Sequence, residues 1–116
     1  MIKVRNIMTK EVVTVAPNSG LKEAAMLMAS KSVSSLVVVK KNKPIAVVSD
    51  TDIIKGLSSN KPKVKDVMST DFMLISPLTR FSEISNSIRE KKIKRFPVVE
   101  NENLVGLVTE TDVIEA

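Results

Sequence analysis

Displaced against itself by 60 positions, so that Val4 falls on Val64, the chain aligns without a gap, and this repeat constrains the fold before any local propensity does. Lys3-Val4 meets Lys63-Val64, Met8 meets Met68, Pro17 meets Pro77 and Glu23 meets Glu83. Val38-Val39 meets Val98-Val99, and Thr51-Asp52 meets Thr111-Asp112. Ile7 with Val67, Ser19 with Thr79, Leu21 with Phe81 and Ser49 with Thr109 are conservative pairs. One repeat alone is too short to bury much apolar surface. The expectation is therefore a single domain over 1–116 built from two repeats, about 1–57 and about 64–116, joined by a linker at about 58–63. A pseudo-twofold axis would let the two share a core.

Both repeats read as β-α-β-β-α, an α/β (α+β) pattern. "VRNIM" and "VKDVM" predict a short helical turn, and "VVTVAP" and "FMLISP" a short strand stopped by proline. Ser19 and Thr79 are expected to open a helix with Glu23 or Glu83 in its first turn, where the helix dipole favours an acid. Leu21, Ala24, Ala25 and Met28 form an apolar stripe at helical spacing, repeated by Phe81, Ile84 and Ile88. "SLVVV" and "RFPVV" predict strands buried on both faces, followed by turns at "KKNK" and "ENEN" and by second strands "PIAVV" and "LVGLV". Each copy then closes on a polar knot, "SDTD" or "TETD", leading into a last helix that the chain end shortens in the second copy. Apolar stripes left exposed on these helices, notably Phe81, Ile84 and Ile88, predict a homodimer.

Composition narrows the chemistry. The chain has neither Cys nor His, so thiol catalysis, a disulfide framework and the commonest general base and metal ligand are all missing. No Gly-rich phosphate loop or HExxH string is present, and no metal site or enzymatic activity is expected. Apolar runs such as Leu36 to Val39 fall far short of the ~20 residues of a membrane span. With no long apolar stretch at the N-terminus, a soluble cytoplasmic protein is expected. The net charge of +5 comes entirely from residues 1–60, which hold nine Lys and Arg against four acids, whereas residues 61–116 hold nine against nine. A basic surface attracts nucleic acid or a small phosphate equally well.

The knot admits two readings. Ser-x-x-Asp and Thr-x-x-Asp fit a capping box, in which hydroxyl and carboxylate satisfy backbone donors at a helix start. The same groups suit a nucleoside: a hydroxyl donates to phosphate, and a carboxylate accepts both hydroxyls of a ribose. Thr51 and Thr111 are not required by the box, and the two roles are compatible at one site.

Taken in order, "IMTKEVVTVAP" with "VMSTDFMLISP", "SSLVVV" with "KRFPVV", and "AVVSDTDII" with "GLVTETDVI" resemble the tandem cystathionine-β-synthase (CBS) domain pair of the stand-alone prokaryotic type, over essentially the whole chain. The resemblance implies a regulatory module that binds an adenosine compound (AMP, ADP, ATP or S-adenosylmethionine) in a cleft between the repeats. Such modules usually regulate an attached enzyme or channel; none is expected here, and the regulated protein is undefined. It further implies Asp52 and Asp112 as ribose anchors, with Ser49, Thr51, Thr109 and Thr111 as hydroxyl donors. Lys94 and Arg95 would face the phosphate, although "KKIKR" also reads as a solvated basic face. The first repeat carries Ser34-Ser35 at those positions, which implies two inequivalent sites. The base would pack among Ile7, Met8, Val15 and Pro17 and their equivalents Val67, Met68, Ile75 and Pro77. A methionine in this setting is as readily core filler. Gly106, against Ala46 in the first copy, would admit a backbone or ligand at close range.

The alternative function is a nucleic-acid-binding or protein-interaction module using the basic surface. Against it, no helix carries a row of Arg and Lys and no aromatic stacking platform is visible. A polyanion contact weakens steeply with salt and a ribose-and-base contact does not, so salt dependence separates the two.

Overall fold

The structure, a computed structural model, describes residues 1–116. After a 3-10 turn at Val4–Asn6 come β1 (Thr14–Val15), α1 (Leu21–Lys31), β2 (Ser35–Lys40), β3 (Lys43–Ser49) and α2 (Asp50–Ser58). The second copy has a 3-10 turn at Val64–Asp66, then α3 (Phe81–Lys91), β4 (Arg95–Glu100), β5 (Asn103–Thr109) and α4 (Glu110–Glu115). The mixed α/β repeat expected from the sequence is present. No helix is long and apolar enough to cross a membrane.

Two compact units result, and they are offset from the sequence repeats. One is continuous, Val13–Thr70; the other is discontinuous, Met1–Val12 with Asp71–Ala116. Each repeat's opening segment therefore completes the unit built by the other repeat's strands and helices. In the discontinuous unit the amides of Val4 and Arg5 donate to Thr79 O (2.9 Å) and Pro77 O (3.0 Å). Thr9 and Leu107 exchange bonds of 2.9 and 3.0 Å. In the continuous unit Val64 and Lys65 donate to Ser19 O and Pro17 O, and Ser69 and Val47 exchange bonds of 2.8 and 2.9 Å. Val4 is fully buried with Ile84, Phe96, Val98 and Val108, whereas Val64 is fully buried with Leu21, Leu36, Val38 and Val48.

Each unit is built around a hairpin. β2 pairs antiparallel with β3, and β4 with β5, with the same register and the same slip, after Val38 and after Val98. Each slip leaves one residue unpaired, Ile45 or Val105, as in a β-bulge. The turns hold two residues at positive φ, Lys41 and Asn42 in one and Asn101 and Glu102 in the other. Two successive positive-φ residues match the right-handed twist of the flanking strands and close a two-residue hairpin.

Three expectations need correction. The strand expected at 72–76 is reduced to a single parallel bridge, Ile75 to Val98. In the first copy Val37 donates to Val13 O at 3.1 Å; its counterpart Pro97 has no N–H, so the ladder loses that rung. Ser19 and Thr79 do not cap α1 and α3. The caps are Gly20 and Arg80, neither with a side-chain bond, and the Thr79 hydroxyl instead accepts the amide of Ser76 at 3.0 Å. Phe81, Ile84 and Ile88 do not form an exposed stripe: Ile84 is 0% exposed, Ile88 packs on the same core, and Phe81 is half-buried. The large exposed apolar side chains on helices are Met26 in α1, Ile54 in α2 and Ile114 in α4. The close approach expected at Gly106 is present and is made by the backbone of Thr9 and the side chain of Met8: a Cβ there would lie 3.2 Å from Thr9 O and 2.6 Å from Met8 Sδ.

Candidate functional site

Both knots form where a strand hands over to a helix. Ser49 ends β3 in extended conformation (φ −101°, ψ 166°), and its hydroxyl oxygen accepts the amide of Asp52 at 3.2 Å. Asp52 Oδ2 in turn accepts the amide of Ser49 at 2.9 Å. Thr109 and Asp112 repeat the arrangement at 3.3 and 2.8 Å, and the Thr109 hydroxyl also donates to Asp112 Oδ2 at 3.2 Å. The capping box is thus fully made in both copies, and it satisfies two backbone donors that a helix start leaves without intrahelical partners.

The box consumes one oxygen of each carboxylate. Oδ1 of Asp52 and of Asp112 takes no part in it, and both side chains are half-buried rather than sealed. Thr51 is exposed; its amide donates to Asp50 Oδ1 at 2.7 Å and its hydroxyl to the same oxygen at 3.4 Å. Thr111 is exposed and its hydroxyl makes no hydrogen bond within the protein. Each knot is therefore structurally engaged while still offering a carboxylate oxygen.

The strand before each knot brings a different neighbour. Arg95 stands directly across from Thr109 in the β4–β5 register, and Ser35 stands across from Ser49 in β2–β3. Arg95 is half-buried and donates from Nη1 to Lys94 O at 3.2 Å; that carbonyl also accepts the amide of Glu110 at 3.0 Å. Lys94 is exposed. In the first copy Ser34 O accepts the amide of Asp50 at 3.0 Å, and Ser35 is buried.

The apolar candidates divide by unit, not by repeat. Val67 and Met68 are half-buried against the core that contains Val15, in the same unit as Pro17, Ser49, Thr51 and Asp52. Ile7 and Met8 are half-buried against the core that contains Ile75, in the same unit as Pro77, Lys94, Arg95, Thr109, Thr111 and Asp112. A cleft of about 570 Å3 in the latter unit is bordered by Met8 and Pro77 together with Arg5, Asn6, Lys10, Leu78, Glu100 and Val105. None of the ribose or phosphate candidates borders it, and Val105 is four residues of strand, roughly 13 Å, from Thr109. Arg5 and Lys10 had no local signal marking them. No group of His, Cys, Asp or Glu is placed so that it could hold a metal ion.

A family model of the CBS domain matches this chain twice, at residues 4–59 and 64–116. The CBS domain-containing protein YhcV of Bacillus subtilis is 34% identical over 113 residues, 93% of this chain and 80% of its own length. The uncharacterized protein MJ1232 of Methanocaldococcus jannaschii is 33% identical over 98% of this chain, which spans only 39% of that relative. Among solved structures, the CBS domain pair of protein MJ0100 in complex with 5′-methylthioadenosine and S-adenosyl-L-methionine superposes with a TM-score of 0.88 at 23% identity. That superposition covers 99% of this chain and 94% of the other. CBSX2 in complex with AMP superposes with a TM-score of 0.79 at 26% identity, covering 99% and 95%.

Proposed function

This chain belongs to the CBS domain family, and from that premise we propose that it is a regulatory module that senses an adenosine nucleotide or a related adenosyl compound. The observation that carries the reading is the pair of half-made carboxylates. Asp52 and Asp112 each hold a helix start with Oδ2 and leave Oδ1 outside the box, beside a threonine. A ribose diol needs a charged acceptor of that kind, and a bond to a carboxylate is about twice as strong as a neutral one. Structural support comes from CBSX2, whose AMP complex shares this fold at 26% identity. Asp52 and Asp112 are read as the ribose anchors, with Ser49, Thr51, Thr109 and Thr111 as hydroxyl contacts. Lys94 and Arg95 are read as phosphate contacts. Ile7, Met8, Pro17, Val67 and Met68, all half-buried, are read as apolar surface for the base, together with Val15, Ile75 and Pro77, which are buried in this structure. Such ligands are drawn from the cytoplasm, where the proposal places the module.

Calorimetry and thermal shift against AMP, ADP, ATP and S-adenosylmethionine test this. Ligand at a hundred times Kd stabilises the folded state by about 2.7 kcal/mol, a shift easily read in a melt. No heat and no shift with any of the four at millimolar concentration would falsify the reading. We also read the chain as a homodimer. Met26, Ile54 and Ile114 are 72, 64 and 76% exposed on helices, and association through these helices would take their side chains out of water.

A further inference from the structure

The cleft of about 570 Å3 in the discontinuous unit gathers charged side chains that neither the knots nor the core employs. We propose that it is a second binding site, for an α-amino acid with an apolar side chain, held through both of its charges. None of the ribose or phosphate candidates borders it, and it shares only Met8 and Pro77 with the base candidates. The site therefore goes beyond the adenosine reading.

Arg5, Asn6 and Lys10 reach the cleft from the opening segment, and Glu100 reaches it from the end of β4. All four are exposed. Although they border one cleft, neither cation forms an ion pair with Glu100, and no side-chain hydrogen bond engages Arg5, Lys10 or Glu100. Asn6 adds a donor. Its Oδ1 accepts the amide of Lys3 at 3.0 Å, the bond that Asp66 makes to Lys63 at 3.0 Å in the other copy. Making that bond with an amide rather than a carboxylate removes a negative charge and leaves the Nδ2 hydrogens for a ligand. Three donors, two of them cationic, suit a carboxylate, and a guanidinium can take both its oxygens at once. Glu100, when ionised an acceptor only, suits an ammonium. A simple anion is repelled by Glu100 and a simple cation by Arg5 and Lys10, whereas a zwitterion satisfies both.

The rest of the lining is apolar. The bulge in β5 leaves Val105 out of the ladder, and that residue borders the cleft. Bulges re-aim a side chain and are frequent beside functional sites. Met8 lies against Gly106, and Leu78 is 57% exposed, so a ligand side chain covering them takes apolar surface out of water. The volume lies within the range of small-molecule sites, about 300–1,000 Å3. The duplication supplies a comparison. At the positions equivalent to Glu100, Leu78 and Lys10 the first copy carries Lys40, Asn18 and Thr70. Neither the acceptor for an ammonium nor the exposed leucine is repeated there.

The full chain, labelled with 13C at the methionine methyls, is titrated with L-phenylalanine, with Met8→Leu assigning the Met8 signal. Parallel titrations use 3-phenylpropionate, which lacks the ammonium, phenethylamine, which lacks the carboxylate, and glycine, which lacks the apolar side chain. L-Phenylalanine should move the Met8 signal saturably at millimolar concentration. Each analogue should bind roughly fivefold or more weakly, the loss of one contact at a solvated site. Glu100→Gln should weaken phenylalanine by a similar factor and leave 3-phenylpropionate within twofold or tighter. Lys10→Thr, the residue of the first copy, should weaken both. AMP binding in both variants should stay within twofold of the parent chain. No response of Met8 to phenylalanine, equal affinity for phenylalanine and any analogue, or unchanged phenylalanine binding in both variants overturns the assignment. If phenylalanine behaves as stated and AMP does not bind the parent chain, the adenosine reading fails alone.

Discussion

Asp52 Oδ2 accepts the amide of Ser49 at 2.9 Å, and the Ser49 hydroxyl accepts the amide of Asp52 at 3.2 Å. This reciprocal pair and its twin at Thr109 and Asp112 define what a substitution at the knot can disturb. Asparagine retains an acceptor for the amide, so Asp52→Asn and Asp112→Asn should each cost about 1 kcal/mol or less in the ligand-free melt. A carboxylate holding a ribose diol loses charge-assisted bonds in the same change, so ligand affinity should fall by about 1.5–3 kcal/mol. Melting curves with and without AMP separate the two effects. If both variants bind normally and only stability falls, the knots are helix caps alone.

Gly56 in α2 has no room for a side chain: a Cβ would lie 2.5 Å from Val67 Cγ1 and 2.6 Å from Leu21 Cδ2. Alanine in a helix interior normally gains about 1 kcal/mol over glycine. Here the added methyl meets a valine whose χ1 is stiff and a buried leucine, and overpacking of this kind costs about 1–3 kcal/mol. Gly56→Ala should therefore be neutral to destabilising by up to about 2 kcal/mol in a urea titration, the sum of those opposing terms. A gain of about 1 kcal/mol, the bare propensity difference, would show that α2 is not packed this closely.

Val4 and Val64 occupy matching places in the sequence and opposite units in the fold. Truncating either to alanine removes two buried methyl groups and leaves a small cavity, about 2 kcal/mol. Native-state hydrogen exchange should locate the damage. Val4→Ala should raise exchange at Phe96 and Val98 more than at Val38 and Val48, and Val64→Ala should do the reverse. The opposite pattern would place each opening segment with its own repeat.

The association surface is tested at Ile54 and Ile114, equivalent positions on α2 and α4 that are both largely exposed. Ile54→Lys or Ile114→Lys puts a charge on the helix surface without touching either core. Sedimentation should show a dimer for the parent chain and weaker association for the variants, with unchanged circular dichroism. A parent chain that stays monomeric at high concentration would sink the homodimer.

The amino-acid sequence by itself determined the repeat, the order of elements, the two hairpins and the chemistry of the knots. Each of these is carried by contacts within a few residues: alternation of apolar side chains, turn residues at fixed offsets, a hydroxyl three places before an acid. Where a local rule had competition, it slipped. Ser19 and Thr79 are good capping residues, yet the chain enters α1 and α3 one residue later, because the Ser19 and Thr79 carbonyls are taken by the amides of Val64 and Val4.

Only the tertiary structure decided which opening segment serves which unit, and with it which methionine accompanies which aspartate. In the chain Met8 is 44 residues from Asp52 and 104 from Asp112 (52 − 8 and 112 − 8), yet it shares a unit with the more distant one. Periodicity cannot encode that choice, since Val4 and Val64 carry the same side chain and either core could accept it. The same holds for Ile84, whose helical stripe says that one face is apolar but not which surface will cover it. Long-range pairings such as Thr9 with Leu107 and Ser69 with Val47 settle the matter by satisfying backbone groups that the hairpins leave open at β5 and β3.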